Sequence, residues 1–320
     1  MSLTLKILLQ LIHKNAAPNF FLQQRFLTHS DQNPILSFKF ILKKFMKKFI
    51  LKSLFSIFGE KKKEQLRIIT FHDILREDHD KFLNLIRYLK KNWNIITPDQ
   101  SKNIINSKDS KVNEKNILIT FDDAFKSQKI ITEKFLDPLN IKALFFIVSD
   151  FVKISSKDEA HKFIKKNFFK NHNHDHNIDF EADNMTLEDL RYLVSKGHTI
   201  GGHTKTHKQL SKIDNKDILI EEIINSKKFL ENEIGINIED FAYTFGDLDS
   251  INKASVDIIM NNFNYLYSGL RGNNSNINSN IIRRDAVDIR EDFEVISAYL
   301  NGYVDIIYNK KLIKLEKWKY

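Results

Sequence analysis

Two acids stand side by side in Thr120-Phe121-Asp122-Asp123, at the end of the apolar run 117–120. Such a run reads as a buried strand, and in parallel α/β barrels reacting groups project from the C-terminal ends of the strands. Adjacent strand side chains point to opposite faces, so the two acids are ill placed to bracket a bond as a glycosidase pair does. Divided labour suits them better, one holding a metal and the other working as a base beside it. Taken alone, the pair is also accounted for by an Asp-Asp turn that caps the next helix. Further along, Gly197-His198-Thr199-Ile200-Gly201-Gly202-His203-Thr204-Lys205-Thr206-His207 reads as a strand that delivers His203, with His207 four residues later. One helical turn can bring that spacing onto a single ion, although any two histidines on one helix face produce it. The chain has no cysteine, so a metal must rest on His, Asp or Glu. Two His and one Asp supply three ligands and leave a position open for water.

These residues need a scaffold, and the texture of the chain supplies one. Of the 320 residues, 42% are hydrophobic, enough for a full core, and 28% are charged. The net charge of +9 is unevenly spread: residues 1–66 hold 12 Lys+Arg against Asp31, Glu60 and Glu64, so the remaining 254 residues carry 38 of each sign. A nucleic-acid enzyme would spread basic charge over its working domain, so no nucleic-acid partner is expected. From Arg67 onward β-rich runs alternate with helical periods, which predicts an α/β fold with a mainly parallel sheet. Strands are predicted at 67–71, 94–97, 116–121, 142–148, 198–201, 240–243, 265–268 and 281–287. Helices are predicted at 80–92, 127–136, 186–196, 216–234, 253–262 and 292–300. The rhythm breaks at 153–184, read as an insertion at a strand end, where His172, His174 and His176 alternate with Asn and Asp in what reads as a solvated loop. The domains predicted are a basic helical extension at 1–66, a catalytic barrel at 67–302 and a basic tail at 303–320.

Within the extension, residues 34–58 place Phe38, Ile41, Leu42, Phe45, Met46 and Phe49 on one helical face and Lys39, Lys43, Lys44 and Lys47 on the other, with Lys48 and Lys52 near the edge. Six lysines, at ~3 kcal/mol each in the bilayer centre, argue against a span. Two readings stand: a helix lying on an anionic membrane surface, or one packed on the catalytic domain with its lysines in water. The apolar stretch 3–12 is a poor secretory signal, and the expected location is cytoplasmic, peripheral at the membrane.

The ordered set Thr120-Phe121-Asp122-Asp123, Met185 to Leu190, His203-Thr204-Lys205-Thr206-His207, Glu222 to Gly235 and Phe241-Ala242-Tyr243-Thr244-Phe245-Gly246 resembles the polysaccharide deacetylase family, the NodB-like group classed as carbohydrate esterase family 4. The last motif is similar to the family's FAYPxG form. The resemblance runs from about residue 67 to 300 and implies a distorted (β/α)7 barrel, with the basic extension before it. It also implies a metal-dependent hydrolase that removes N-acetyl or related N-acyl groups from a carbohydrate, here a cell-surface glycan or lipid-linked sugar. Carried over residue by residue, Asp123, His203 and His207 would hold a divalent metal, Zn²⁺ by preference. Asp122 would take the proton of the attacking water, Thr204 would orient the histidine loop, and a backbone N–H near Phe245 would help bind the oxyanion.

The chain departs from the family pattern in three places. Many members have an Arg in the third motif that tethers the catalytic Asp, where this chain has Ala242-Tyr243-Thr244-Phe245; Arg283 or Arg284 could substitute. No histidine follows His207, so the usual late general acid is missing. The segment Ile69-Thr70-Phe71-His72-Asp73-Ile74 resembles the opening of members with permuted strands, which implies that His72 protonates the leaving amine. The insertion has no assigned counterpart. Ala242 and the missing histidine also keep open a catalytically inactive sugar-binding relative.

Overall fold

Alternation with a period of two decides which way each strand faces. A computed structural model of the chain describes residues 46, 48–57, 59, 64–107, 114–168, 182–275, 277 and 279–319. Its strands are β1 (Gln65–Phe71), β2 (Asn94–Ile95), β3 (Lys115–Asp123), β4 (Leu144–Ile147), β5 (Thr199–Gly202), β6 (Asp240–Ala242), β7 (Tyr265–Tyr267), β8 (Ile281–Ile282) and β9 (Asp285–Ala286). All pair in parallel, in the order β8-β7-β6-β5-β4-β3-β1-β9. β2 lies off this path, against the start of β3, and β4 takes over the later half. The predicted strand 281–287 is thus two short strands broken at Arg283-Arg284. β8 pairs with β7 and β9 with β1, so this one bent segment joins both edges of the sheet and closes it into a (β/α) barrel.

Leu66, Ile68, Leu118, Leu144, Phe146, Ala242, Tyr265, Tyr267 and Ile282 fill the barrel interior as one buried cluster. The opposite parity, including Ile69, Phe71, Ile117, Ile119, Phe121 and Phe145, packs under the helices in a larger one. The interior rows of β1 and β3 end at Thr70, Thr120 and Asp122, which bring polar groups to the C-terminal mouth, while at the opposite end Asp240 of β6 accepts the Tyr267 hydroxyl at 2.9 Å.

The six predicted helices form, at slightly different bounds. Pro98–Asn106 is added, with a capping box between Thr97 and Gln100 and the proline at its first turn. The helix Lys157–Asn167 lies inside the insertion, whose ends are tied by Asn184 Nδ2 donating to the Ile154 carbonyl. The tail is not a loose appendage: Asn309–Glu316 is helical, buries Leu312 and Leu315, and anchors Lys311 to Asp247 at 2.7 Å.

Residues 48–57 are helical and pack against the domain through Leu51, which is buried with Val295, Ala298, Tyr299 and Val304. Lys48 and Lys52 both meet Asp292, Lys48 at 2.9 Å. For this part of the extension the packed-helix reading holds, with those two lysines paired. Met46, Phe49 and Ile57 stay exposed on the far side. Phe38, Ile41, Leu42, Phe45, Lys39, Lys43, Lys44 and Lys47, together with the three histidines of the insertion, lie outside the described residues.

Arg67 points outward from β1 yet is fully buried, because the segment after helix Phe293–Leu300 closes over it. Its guanidinium donates to the Leu300 and Tyr299 carbonyls at 2.8 Å and to Asp305 at 3.0 Å, and lies 3.5 Å from Asp285. Removing one member of a buried ionic cluster strands its partners. Arg67→Met should therefore lower unfolding stability by ~3–5 kcal/mol in urea titration, and Arg67→Lys should rescue little, since an ammonium cannot span the same fork of acceptors. An unchanged midpoint for Arg67→Met would show the cluster to be dispensable.

Candidate active site

The site lies at the C-terminal mouth of β1, β3, β5 and the split last strand, where the polar ends of the interior rows meet. Register places Phe71 opposite Phe121, so His72 and Asp122 leave adjacent strands at the same level. Asp122 is buried and receives a two-pronged contact from Arg284, Nη1 to Oδ1 at 2.6 Å and Nη2 to Oδ2 at 2.9 Å. Arg284 comes from the break between β8 and β9. It also donates to the Ser268 carbonyl at 3.1 Å and stacks over the Phe146 ring at 4.9 Å. Of the two arginines the sequence offered as the tether, Arg284 occupies that position, while Arg283 reaches Glu316 at 3.0 Å. Burial acts to raise the Asp122 carboxyl, but the Arg284 charge beside it prevails and holds it below the usual range.

Asp123 ends β3 with φ +82°, and this left-handed turn swings its carboxylate toward the β5 loop. His203 Nε2 and His207 Nε2 each stand 3.3 Å from the same oxygen, Asp123 Oδ1. The ligand atoms of the three side chains lie within 4.8 Å of one another, and all three residues are buried. Their tautomers follow from the far ring nitrogens. His203 Nδ1 lies 2.7 Å from the Ala242 carbonyl and His207 Nδ1 3.0 Å from the Asn167 carbonyl. A carbonyl can only accept, so both Nδ1 atoms carry hydrogen, and in the neutral form each ring turns an Nε2 lone pair toward the carboxylate. Both Asp123 oxygens are buried without a hydrogen-bond donor. With the rings in that form, two lone pairs and an anion converge in a buried pocket and repel each other unless a positive species lies among them. The donor set therefore fits a divalent cation, with the carbonyls fixing the orientation of each imidazole. Burial would raise Asp123 and lower His203, yet contact with His203 and His207 holds Asp123 far below the usual carboxylate range, and the Asp122 and Asp123 carboxylates raise His203.

The loops that carry these ligands are held by partners not evident as site residues in the sequence. Glu222, buried on the helical segment after the loop, accepts the Lys205 and Thr206 backbone N–H groups at 3.1 and 2.8 Å and the Thr206 hydroxyl. Thr204 Oγ1 accepts the His207 N–H at 2.9 Å, consistent with its expected role in orienting the loop. Gly201 is needed where it stands, because a Cβ there would lie 2.7 Å from the Phe146 ring that supports Arg284. The insertion, unassigned from sequence, supplies Asn167 and also Phe168, whose ring meets His207 edge-on at 4.6 Å. Six non-glycine residues among those described have positive φ, and five of them are here: Asp123, Ala124, Thr204, His207 and Phe245. Such backbone persists only where its surroundings over-determine it, and it concentrates at functional sites.

His72 is half-buried at the end of β1. Burial lowers its pKa, against the pull of the Asp123 and Asp122 carboxylates. His198 plays a structural part: Nδ1 accepts the Ala143 N–H and Nε2 faces Asp137 at 2.9 Å, away from the cluster.

Residues 109–262 match the family model described as polysaccharide deacetylase. No curated protein matches. Among solved structures, IcaB from Ammonifex degensii superposes with a TM-score of 0.59 at 18% identity, over 75% of this chain and 98% of that one. The Streptococcus pyogenes deacetylase PplD, solved in complex with acetate, gives 0.57 at 17% identity, over 74% and 98%. BC0361, a polysaccharide deacetylase from Bacillus cereus, gives 0.55 at 19%, over 74% and 69%. At these identities the superpositions speak for the fold, and the matched segment, which contains Asp122, Asp123, His203 and His207, speaks for the family. Over residues 109–262, just under half of its length, the chain is similar to the polysaccharide deacetylase family.

Proposed function

We propose that the chain is a metal-dependent N-deacetylase of carbohydrates, with Asp123, His203 and His207 holding Zn²⁺, Asp122 as base and His72 as acid. The observation that carries this reading is the convergence of two imidazole Nε2 atoms on Asp123 Oδ1, with both rings fixed from behind by carbonyls. Zn²⁺ bound there would act as a Lewis acid and bring the pKa of a water toward ~7. The Arg284 fork takes one lone pair on each Asp122 oxygen and leaves others to accept the water's proton. As the C–O bond forms and the amide C–N bond breaks, His72 gives a proton to the departing nitrogen. The inactive-relative reading rests on Ala242 in place of the tethering arginine and on the missing late histidine; Arg284 supplies the tether from elsewhere in the chain, and His72 is proposed for the histidine's task.

We also propose that the extension brings the enzyme to an anionic membrane surface, where the substrate is a lipid-linked or surface glycan. Met46, Phe49 and Ile57 lie within about 80° of one another on a helical wheel and are exposed, 41, 65 and 72%. Apolar side chains in that arrangement are suited to the boundary between headgroups and acyl chains.

For the chemistry, Asp123→Ala, His203→Ala and His207→Ala should each lose stoichiometric zinc and acetate release from N-acetylated glycans. Asp122→Asn should keep the zinc and lower kcat by about 10²–10⁴. Arg284→Met should do likewise, provided it stays folded, and His72→Ala should lower kcat least for substrates with good leaving groups. Full zinc in all three ligand variants would refute the site. For the location, full-length chain should cosediment with anionic vesicles at low salt, and Phe49→Ser/Ile57→Ser should weaken binding. Equal binding by that variant would remove the helix from the membrane reading.

A further inference from the structure

A cavity of about 800 Å³ opens beside the metal cluster, with His207 and Phe245 on its wall. The rest of its rim is unusually basic. Lys162, Lys165 and Lys166 come from the insertion helix and Lys208 and Lys212 from the loop after His207, all five exposed. The first three share one helical face, and Lys162 and Lys166 form a like-charge pair one turn apart, an arrangement that destabilises a helix when nothing neutralises it. Among the described residues, no carboxylate lies within ion-pair distance of Lys162, Lys165, Lys166 or Lys212. Lys208 stands 3.4 Å from Glu222, a carboxylate already shared among two backbone N–H groups and the Thr206 hydroxyl. Asp150 and Glu159 line an adjoining depression, where Asp150 holds Lys153 at 2.7 Å. This excess stands out because residues 67–320 carry equal numbers of basic and acidic side chains.

We propose that the substrate is an anionic N-acyl saccharide, carrying a phosphate or carboxylate that the lysine rim binds while the acyl amide lies at Asp123, His203 and His207. This rests on the deacetylase reading and names the substrate class for that site. Two sides of the rim come from different parts of the chain, so they form a clamp around the cavity mouth. Lysine suits this task as a flexible point charge that follows anions of different geometry. Concave walls of low dielectric focus the field of such a cluster and raise the local concentration of anions.

The test measures binding and turnover separately on the zinc-loaded full chain. Equilibrium binding is compared for neutral N-acetylglucosamine, N-acetylglucosamine 1-phosphate and an N-acetylated hexosaminuronate, in wild type, in Lys165→Gln/Lys166→Gln/Lys212→Gln and in Lys157→Gln, which removes a charge from the same helix away from the cavity. Wild type should bind at least one anionic sugar about tenfold more tightly than the neutral one, a difference that shrinks in 1 M salt, where the Debye length is ~3 Å. Phosphate and carboxylate arms show which anion the clamp fits. The triple variant should lose the preference, with the loss appearing in KM wherever turnover is seen, and Lys157→Gln should retain it. Equal binding of neutral and anionic sugars by wild type, or an equal loss in Lys157→Gln, overturns the proposal even if acetate is released. Anion preference without acyl release would instead refute the deacetylase reading and leave the clamp standing.

Discussion

The Asp122–Arg284 pair joins the architecture to the chemistry. Two charges taken from water gain little net stability unless their geometry is well satisfied, and here the fork is completed by the Ser268 carbonyl and the Phe146 ring. Those supports belong to β4 and to the segment after β7, and the carboxylate to β3, so one guanidinium ties together distant staves of the barrel. The pair also keeps Asp122 charged inside a dry interior. Gly201 follows from it, since the ring under the guanidinium needs the space a side chain would fill.

Much of the scaffold was legible in the sequence because period-two runs and helical periods alternate cleanly from Arg67 onward. The ligand set was legible because its residue types and order resemble a family pattern, beyond what spacing alone could say. The choice between Arg283 and Arg284 was not: it depends on the parity of a strand that bends between them, and a bend has no clear signature in Ile281-Ile282-Arg283-Arg284-Asp285. The helix at Pro98 could have been read from Thr97-Pro98-Asp99-Gln100, a capping signal present in the chain. In the extension, the helical period predicted Met46 and Phe49 for the apolar face, yet Leu51 is the residue buried on the domain. Tertiary contacts settle that choice, because the surface that receives the helix offers Asp292 to its lysines and an apolar seat beside it.

Asn167 and Glu222 mark a limit of motif reading. Asn167 meets His207 only through its backbone carbonyl and Glu222 acts through the amides it accepts, groups whose positions exist only once the loops have folded. Asn167 contributes its carbonyl, a group every residue possesses, so its type carries no signal. What matters there is where the insertion helix ends. The positive-φ residues repeat the point: left-handed backbone at Asp123 and His207 is imposed by surrounding contacts rather than favoured by those side chains.

The broken last strand has a consequence for how the protein reaches this state in a cell. Arg284 is 162 positions beyond Asp122, and β9 pairs with β1 more than two hundred residues upstream. A chain emerging from the ribosome at ~5–20 residues per second can form β1 and β3 early, but it holds an unpaired buried acid and an open sheet edge until the closing segment arrives. Contacts of such sequence separation make folding slow and expose edges to wrong pairing in the meantime. A nascent chain stopped before residue 281 would therefore carry both acids and both histidines without the closure that organises them.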